Sequence, residues 1–461
     1  MGSDEKVDSR FHDLEPIATE NVPSEAAKMA DASVDWHTNY IEEYNPLVWK
    51  DKRKRQIRRK AFSELSLFLQ VTSQITDQEA NHDKLVDSIT ETVNDRRYFE
   101  LLSRYPTDIV QYGYPFAIPA TRGRLRTEAT MVLERTVTQK PIHSPERYPF
   151  VQLHYYHILE QLGFQTEHLD PATILSVSNI RKEPGFIQCN RRDVYAITHN
   201  IFYYTNFGIP GEGFPDTIVP TDLSTCLSGL LLRFLAIDDT DAVAELLLAG
   251  IIQRQLDPEF VKFVLSWLQT RSENGIVPGS GVRDAIASST QRIQNSDIDI
   301  DSLGEWDENS EHWFHDYHTV IASGLCFAVL EQEWDRLRNE APTRDFGYWL
   351  SDSATQLLTL GNLVAVLSEY KLTEAAPLLE SLTGSRVARA YSDVFNACVK
   401  FLQNQRTPDD HIGYFTDEQY VYCNGVGTTD TFDREFRNQC TNRCEAALSA
   451  VKSDETDRDR E

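Results

Sequence analysis

Residues 191–208 read RRDVYAITHNIFYYTNFG, and this stretch predicts the fold class. Four of its side chains recur at helical intervals and would share one face of an α-helix: Tyr195, His199, Phe202 and Asn206. Gly208, followed by Pro210, is typical of a helix end, because glycine adopts the left-handed conformation and proline cannot continue a helix. The stretch therefore predicts a helix with an aromatic, histidine-bearing face.

The same periodicity extends along most of the chain. Helical patterns cover residues 54–75, 84–105, 124–137, 146–162, 191–206, 221–236, 240–253, 258–271, 309–332, 354–369, 373–382 and 387–404. Alternating strand patterns and strict internal repeats are absent from the sequence. We therefore predict an all-α protein, specifically an α/α toroid whose paired helices surround a central cavity. An irregular α-solenoid or bundle is the alternative.

Composition divides the chain into four parts. Residues 1–45 are polar and acidic, which predicts a disordered arm. Residues 46–405 form the predicted toroid-like domain, and residues 406–450 form a C-terminal extension that contains cysteines. Residues 451–461 predict a disordered charged tail.

The chain is strongly acidic. Its 71 Asp and Glu residues against 45 Lys and Arg give a formal net charge of −26, and only 13 of its 461 residues are lysine. Such a surface stays soluble at high salt, where the Debye length falls to roughly 3 Å at 1 M. This composition fits the cytoplasm of a halophilic archaeon, and an acid-rich mesophilic protein is the equal alternative. The charge argues against nucleic acid and anionic membranes as partners.

The sequence also predicts a cytoplasmic protein. The start, MGSDEKVDSR, has no apolar core of a signal peptide. The most apolar run, CLSGLLLRFLAI (226–237), is shorter than the roughly 18 residues that span a bilayer. Seven cysteines, an odd number scattered along the chain, favour reduced thiols over a disulfide framework.

A second predicted helix, EHWFHDYHTVIASGLCFAVLEQ (311–332), carries His312, His315 and His318. Histidine transfers protons near neutral pH, so two histidines across a cavity suit acid/base chemistry. We predict that His199 and His318 form a proton-transfer pair acting on a small molecule or peptide, oriented by Tyr195 and Asp316. The alternatives are histidines that only pack in the core, or a non-catalytic helical adaptor that binds a protein partner.

Two further groups offer weaker chemistry. His411, Cys423, Cys440 and Cys444 have the residue types of a tetrahedral zinc site, but their spacing matches no standard motif, and ordinary thiols are the alternative. Asp238, Asp239 and Asp241 of LAIDDTDAVAELLLAG (235–250) are interpreted as helix caps rather than as a catalytic cluster. The sequence lacks phosphate-loop, dinucleotide-binding and nucleophile-elbow motifs.

The segment THNIFYYTNFG (198–208) is followed by a helix with Trp313, Tyr317, His318 and Thr319. Together these motifs resemble a family of uncharacterised helical proteins from actinomycetes and archaea, known as a domain of unknown function. The likeness covers roughly residues 60–380. It implies that Thr198, His199, Tyr203, Gly208, His318 and Thr319 are signature positions, and it implies no established activity, so the cofactor remains unknown.

Overall fold

The computed structural model describes residues 14, 17–75, 79–138, 146–166, 169–182, 185–209, 213–215, 220, 222–279, 308–344, 351–407, 410–413 and 434–458. Within these ranges the regular elements are helices, and the β-type contacts are two isolated bridges, Glu273 with Ile276 and Arg406 with Ile412. The predicted all-α class is confirmed. The closed toroid stays a prediction.

The α-helices are α1 (Val22–Asn39), α2 (Ile41–Tyr44), α3 (Lys52–Thr72), α4 (Glu79–Val93), α5 (Arg96–Arg104), α6 (Ile109–Tyr112), α7 (Tyr114–Thr121), α8 (Thr127–Val137), α9 (Pro149–Gln161), α10 (Pro171–Ser176), α11 (Arg191–Tyr204), α12 (Leu223–Ala236), α13 (Thr240–Gln253), α14 (Pro258–Arg271), α15 (Glu308–Glu340), α16 (Ser351–Ser368), α17 (Leu372–Leu382), α18 (Arg386–Ala390), α19 (Ser392–Gln403) and α20 (Arg434–Arg458).

Helix α13 lies at the centre of the core. Every one of its residues is buried, and its sequence, TDAVAELLLAGIIQ, is apolar on nearly all sides, as expected for a helix surrounded by others. It packs against α11, α12, α14 and α15. The two histidine-bearing helices of the sequence, α11 and α15, therefore contact the same third helix.

Helix α15 is longer than its predicted range of 309–332, and it joins several parts of the core. It packs against α1, α3 and α13. Its Gly324 permits the close approach, because a Cβ atom there would lie 2.7 Å from the Ser33 Cβ and 2.8 Å from the Phe68 Cε2. Helices α1 and α3 can therefore lie against the same turn of α15.

The N-terminal region differs from the disordered arm predicted for residues 1–45. Residues 22–39 form α1, whose buried side chains include Val22, Ala26, Met29 and Val34. This spacing makes one apolar face, which packs on α15. The acidic residues between them dominate the composition but lie on the other side of the helix. Composition therefore predicted disorder, although the spacing of the apolar residues is that of an amphipathic helix. At the other end of the chain, α20 continues to Arg458, into the range predicted as a disordered tail.

The predicted helix 84–105 is two helices, α4 and α5. The break lies at Asn94 and Asp95, where Asp95 accepts a hydrogen bond from the Arg97 backbone N–H at 2.7 Å and caps α5. The Asn94 side chain meanwhile accepts from the Arg126 backbone N–H at 2.7 Å. Short polar side chains that bind backbone groups start and stop helices in this way.

Candidate functional site

Two acidic side chains project from the buried helix α13. Asp241 and Glu245 are four residues apart, so they lie on the same face of the helix, and they are 1% and 4% exposed. The helix begins at its N-cap Asp239, whose side chain accepts from the Ala242 backbone N–H at 3.2 Å. Burying carboxylates is costly unless they are paired or hydrogen-bonded, so their surroundings decide what they do.

Helix α11 supplies hydrogen-bond donors to one oxygen of each carboxylate, Asp241 Oδ2 and Glu245 Oε2, which we call the outer oxygens. Tyr195 donates its hydroxyl to Asp241 Oδ2 at 3.0 Å, and Thr198 donates to Glu245 Oε2 at 2.9 Å. The ring of His199 lies beside the same oxygen, with Nδ1 at 3.9 Å from Glu245 Oε2. Tyr195 and Thr198, about one turn apart on α11, therefore bind Asp241 and Glu245, about one turn apart on α13.

The orientation of α11 is set at its first turn. Asn190 and Asp193 form a capping box, in which each side chain binds the backbone N–H of the other residue. Arg191, at the first helical position, reaches α13: its Nη1 lies 2.8 Å from Asp239 Oδ2, and its Nη2 lies 3.3 Å from Asp241 Oδ2. This ion pair joins the two helix N-termini beside the cluster.

Helix α15 contributes His318. Its ring faces the other oxygen of each acid, Asp241 Oδ1 and Glu245 Oε1, which we call the inner oxygens. Its Nε2 lies 3.6 Å from Asp241 Oδ1 and 3.7 Å from Glu245 Oε1. The other ring nitrogen, Nδ1, lies 3.5 Å from Oε2 of Glu64, which projects from α3. The imidazole is therefore surrounded by three carboxylates from two helices.

These contacts shift the protonation equilibria. Burial lowers the pKa of His318, but the charges of Asp241 and Glu64 outweigh burial and raise this pKa to about 9. Burial raises the pKa of Glu64, but the charges of Lys60 and His318 outweigh burial and lower this pKa to about 2. At neutral pH His318 therefore carries a positive charge among these carboxylates, in addition to Arg191 beside Asp241 and Lys60 beside Glu64.

Aromatic rings also lie close to His199. Phe150, Phe202 and Tyr203 have ring centroids 6.4, 5.7 and 5.6 Å from the His199 ring. Tyr203 also stacks on His154 at 4.3 Å. Burial, followed by the nearby charge of His199, lowers the pKa of His154 well below its usual value, so His154 is a neutral ring. The His199 side chain is 23% exposed, against 14% for His318, so His199 is the more accessible of the two histidines.

The structure brings together three of the four predicted site residues. His199, His318 and Tyr195 all face the acids of α13. Asp316 does not, because two residues along a helix turn the side chain by about 200° relative to His318. Its carboxylate instead accepts from the Gly279 backbone N–H at 2.7 Å and lies 3.5 Å from His312 Nδ1.

Sequence reasoning missed Glu64, Asp241 and Glu245. The interpretation of the acids near 238–241 as caps holds for Asp239 only; Asp238 is paired with Arg271 on the surface, and Asp241 lies in the cluster. A signal was present for α13, since two acids four residues apart interrupt an otherwise apolar helix. No comparable signal marks Glu64, which is one of several acids in a charged sequence.

One group of metal-type ligands is present among the described residues: Asp241, Glu245 and His318, whose nearest ligand atoms all lie within 4.8 Å of one another. His411, Cys440 and Cys444 form no such group in the described ranges, and Cys423 lies outside the described residues. Zinc at these four positions stays a prediction.

Sequence comparisons place the cluster within a family domain. A family model described as "Domain of unknown function (DUF6895)" matches residues 30–328, more than half of the chain and including Glu64, Asp241, Glu245 and His318. No curated protein and no solved structure matches the chain. In the described ranges, no helix combines the length and the apolar character that crossing a membrane requires.

Proposed function

We propose that this chain, which belongs to the DUF6895 family of domains of unknown function, is an enzyme that acts on a small molecule or a peptide by proton transfer. The observation that carries the proposal is that two histidines from different helices face one buried carboxylate. His199 and His318 lie 3.9 and 3.7 Å from the two oxygens of Glu245.

The energetics of burial support a functional reading of this cluster. Charged groups lose hydration when they are buried, and replacing a buried ion network by apolar residues is often neutral or stabilising. Helix α13 is otherwise suited to apolar packing on every side, yet it carries Asp241 and Glu245 among its leucines. Perturbed, buried ionisable clusters of this kind are concentrated at functional sites.

His199 is the proposed proton carrier. Its imidazole is partly accessible, whereas Asp241, Glu245 and His318 are more deeply buried. The Glu245 Oε2 atom lies 3.9 Å from Nδ1 of His199, and Thr198 holds this carboxylate oxygen through a hydrogen bond. A carboxylate beside an imidazole is a common arrangement for general acid/base catalysis.

His318 has a different proposed role. Held between carboxylates, it supplies a fixed positive charge that would stabilise negative charge on a reacting group. Tyr195 positions Asp241 through its hydroxyl, while the contacts of Asp316 assign it no part in the reaction. The rings of Phe150, Phe202 and Tyr203 around His199 suit the apolar or planar part of a substrate.

The experiment is a comparison of substrate turnover. Wild-type protein, His199→Gln and His312→Gln are each incubated with a library of metabolites and short peptides in the presence of Mn²⁺ or Zn²⁺, and the products are followed by mass spectrometry. His312 is the matched control, because it lies on α15 outside the cluster with a side chain that is 58% exposed. We expect wild type and His312→Gln to convert the same compound, and His199→Gln to convert it at least about 100-fold more slowly.

Equal turnover by His199→Gln and wild type would contradict the proposed role of His199. A wild-type protein that leaves every compound unchanged would favour the non-catalytic alternative, in which the helices form a surface for a protein partner.

A further inference from the structure

We infer that the cluster is a metal site, in which Asp241 Oδ1, Glu245 Oε1 and His318 Nε2 bind one divalent transition-metal ion. The inference concerns the same cluster as the proposed function and adds its cofactor. Its test reads ion binding directly and does not depend on any turnover.

The distances between the three atoms suit a shared ion better than direct hydrogen bonds. Nε2 of His318 lies 3.6 Å from Asp241 Oδ1 and 3.7 Å from Glu245 Oε1. An N–H···O hydrogen bond is about 2.7–3.2 Å long. Ligands that each lie about 2.0–2.2 Å from one ion stand about 3.0–3.5 Å apart, so the two distances to His318 would shorten by a few tenths of an ångström. The ligand oxygens of Asp241 and Glu245, which lie within 4.8 Å of each other, would close around the same ion.

The hydrogen bonds on the outer side leave the inner oxygens directed at His318. Asp241 Oδ2 accepts from the Tyr195 hydroxyl at 3.0 Å and contacts Arg191 at 3.3 Å. Glu245 Oε2 accepts from Thr198 at 2.9 Å. Each carboxylate is thus fixed by one oxygen while the other faces the imidazole. Such outer-shell contacts orient ligands in metal sites.

Glu64 is an outer-shell carboxylate for His318, on the Nδ1 side of the imidazole. Its Oε2 lies 3.5 Å from His318 Nδ1, and neither atom has a hydrogen-bond partner, although both are buried. If Nε2 binds an ion, the ring proton must be on Nδ1, which then donates to Glu64. A histidine ligand whose second nitrogen donates to a carboxylate is the usual arrangement at metal sites.

The surrounding charges also match a divalent ion. Arg191 lies 2.8 Å from Asp239, and Lys60 lies 3.4 Å from Glu64, so these two acids have cationic neighbours of their own. Arg191 also contacts Asp241, at 3.3 Å from Oδ2, so a divalent cation would share Asp241 with this arginine and would neutralise Glu245. An ion would then supply the fixed positive charge assigned above to His318.

The ligand types indicate which ion to test. Two carboxylate oxygens and one imidazole nitrogen suit Mn²⁺, Fe²⁺ or Zn²⁺. Three protein ligands leave at least one coordination position for water or substrate, as catalytic metal sites require.

The experiment titrates full-length protein, stripped with EDTA and dialysed, with MnCl₂ and separately with ZnCl₂ by isothermal titration calorimetry. We expect one ion per chain for at least one of the two salts. The double variant Asp241→Asn/Glu245→Gln, which preserves side-chain shape, should weaken binding at least about 100-fold. Glu333→Gln is the matched control, because Glu333 is also buried and paired with arginine but lies outside the cluster.

Two further variants separate this inference from the proposed function. Glu64→Gln should bind the ion about 10–100-fold more weakly, because it alters the carboxylate behind the histidine ligand. His199→Gln should bind the ion as wild type does, whatever its turnover. The inference is overturned if folded wild-type protein binds neither ion, or if the double variant, shown to be folded by circular dichroism, binds with wild-type affinity.

Discussion

The Nε2 atom of His318 lies 3.7 Å from Oε1 of Glu245, and this contact links the long helix Glu308–Glu340 to the buried helix Thr240–Gln253. The same imidazole also faces Asp241 and Glu64. One ring therefore faces three carboxylates, of which Asp241 also contacts Arg191 and Glu64 also contacts Lys60.

We expect His318→Gln to destabilise the protein at pH 7 by about 3–5 kcal/mol, since it removes the imidazolium that lies between three carboxylates, Glu245 among them. The measurement is urea unfolding in EDTA, which removes any bound ion. His312→Gln, on the same helix but mostly exposed, should change the free energy of unfolding by less than about 0.5 kcal/mol. Equal losses for the two variants would show that the carboxylates do not depend on the His318 charge.

The contribution of His318 should also depend on pH in a defined direction. Its pKa in the folded protein is about 9, above the ordinary value of 6.5, so the folded state holds the proton more tightly than the unfolded state. The stabilisation is fully present below pH 6.5 and is lost as pH rises through 9. Urea unfolding in EDTA at pH 6, 7.5 and 9.5 should show wild type and His318→Gln converging in stability. A difference that is constant with pH would contradict this account.

His37 should produce the opposite dependence. Burial lowers its pKa to about 3, and its Nδ1 is 2.7 Å from the Tyr44 hydroxyl, so the folded state keeps this ring neutral. The unfolded state binds the proton below pH 6.5, and stability falls by up to about 1.4 kcal/mol per pH unit as pH decreases from 6.5 toward 3. His37→Gln should lose stability less steeply than wild type over this range in acid-dependent urea unfolding. Parallel curves would be evidence against a buried neutral His37.

Gly361 should not tolerate a side chain. A Cβ atom there would lie 2.2 Å from the Leu232 carbonyl oxygen and 3.1 Å from Ala236 Cβ, where Ser351–Ser368 packs on Leu223–Ala236. We expect Gly361→Ala to destabilise the protein by about 1–3 kcal/mol, because the helices must separate. Thermal unfolding measures the loss. Gly123→Asn is the comparison, since nothing lies within 4 Å of a Cβ atom there and Asn tolerates the φ of +64°. A loss no greater at Gly361 than at Gly123 would refute the close packing.

The helices themselves were predictable because their signals are local. The predicted ranges 240–253 and 258–271 coincide with observed helices, since apolar periodicity and the capping aspartates Asp239 and Asp257 act within a few residues. The predicted range 84–105 was wrong as a single helix because Asp95 caps a new helix through the Arg97 backbone N–H, while the Asn94 side chain binds the backbone of Arg126, the N-cap of Thr127–Val137. A local cap and a tertiary contact together decided that boundary.

The site was predictable only in part, for the same reason. The sequence identified His199, His318 and Tyr195, whose residue types and helical spacing mark them. It also assigned Asp316 to the site, where the rotation of the helix places its side chain elsewhere. The sequence gave no means of pairing His318 with Glu64. Their interaction is strong only when the two side chains are close, and the sequence does not show which helices are neighbours.

By itself, the sequence of RRDVYAITHNIFYYTNFG determined a helix and its aromatic face, since both depend on neighbouring residues. The helix ends at Tyr204, earlier than Gly208 had predicted, and Asn206, which was expected on its face, lies in the turn that follows. The tertiary structure decided that His199 and His318 meet at Glu245, a residue that the sequence did not single out. Helix formation follows from the backbone and a few adjacent side chains, whereas the cluster requires four helices to bury their polar faces against one another.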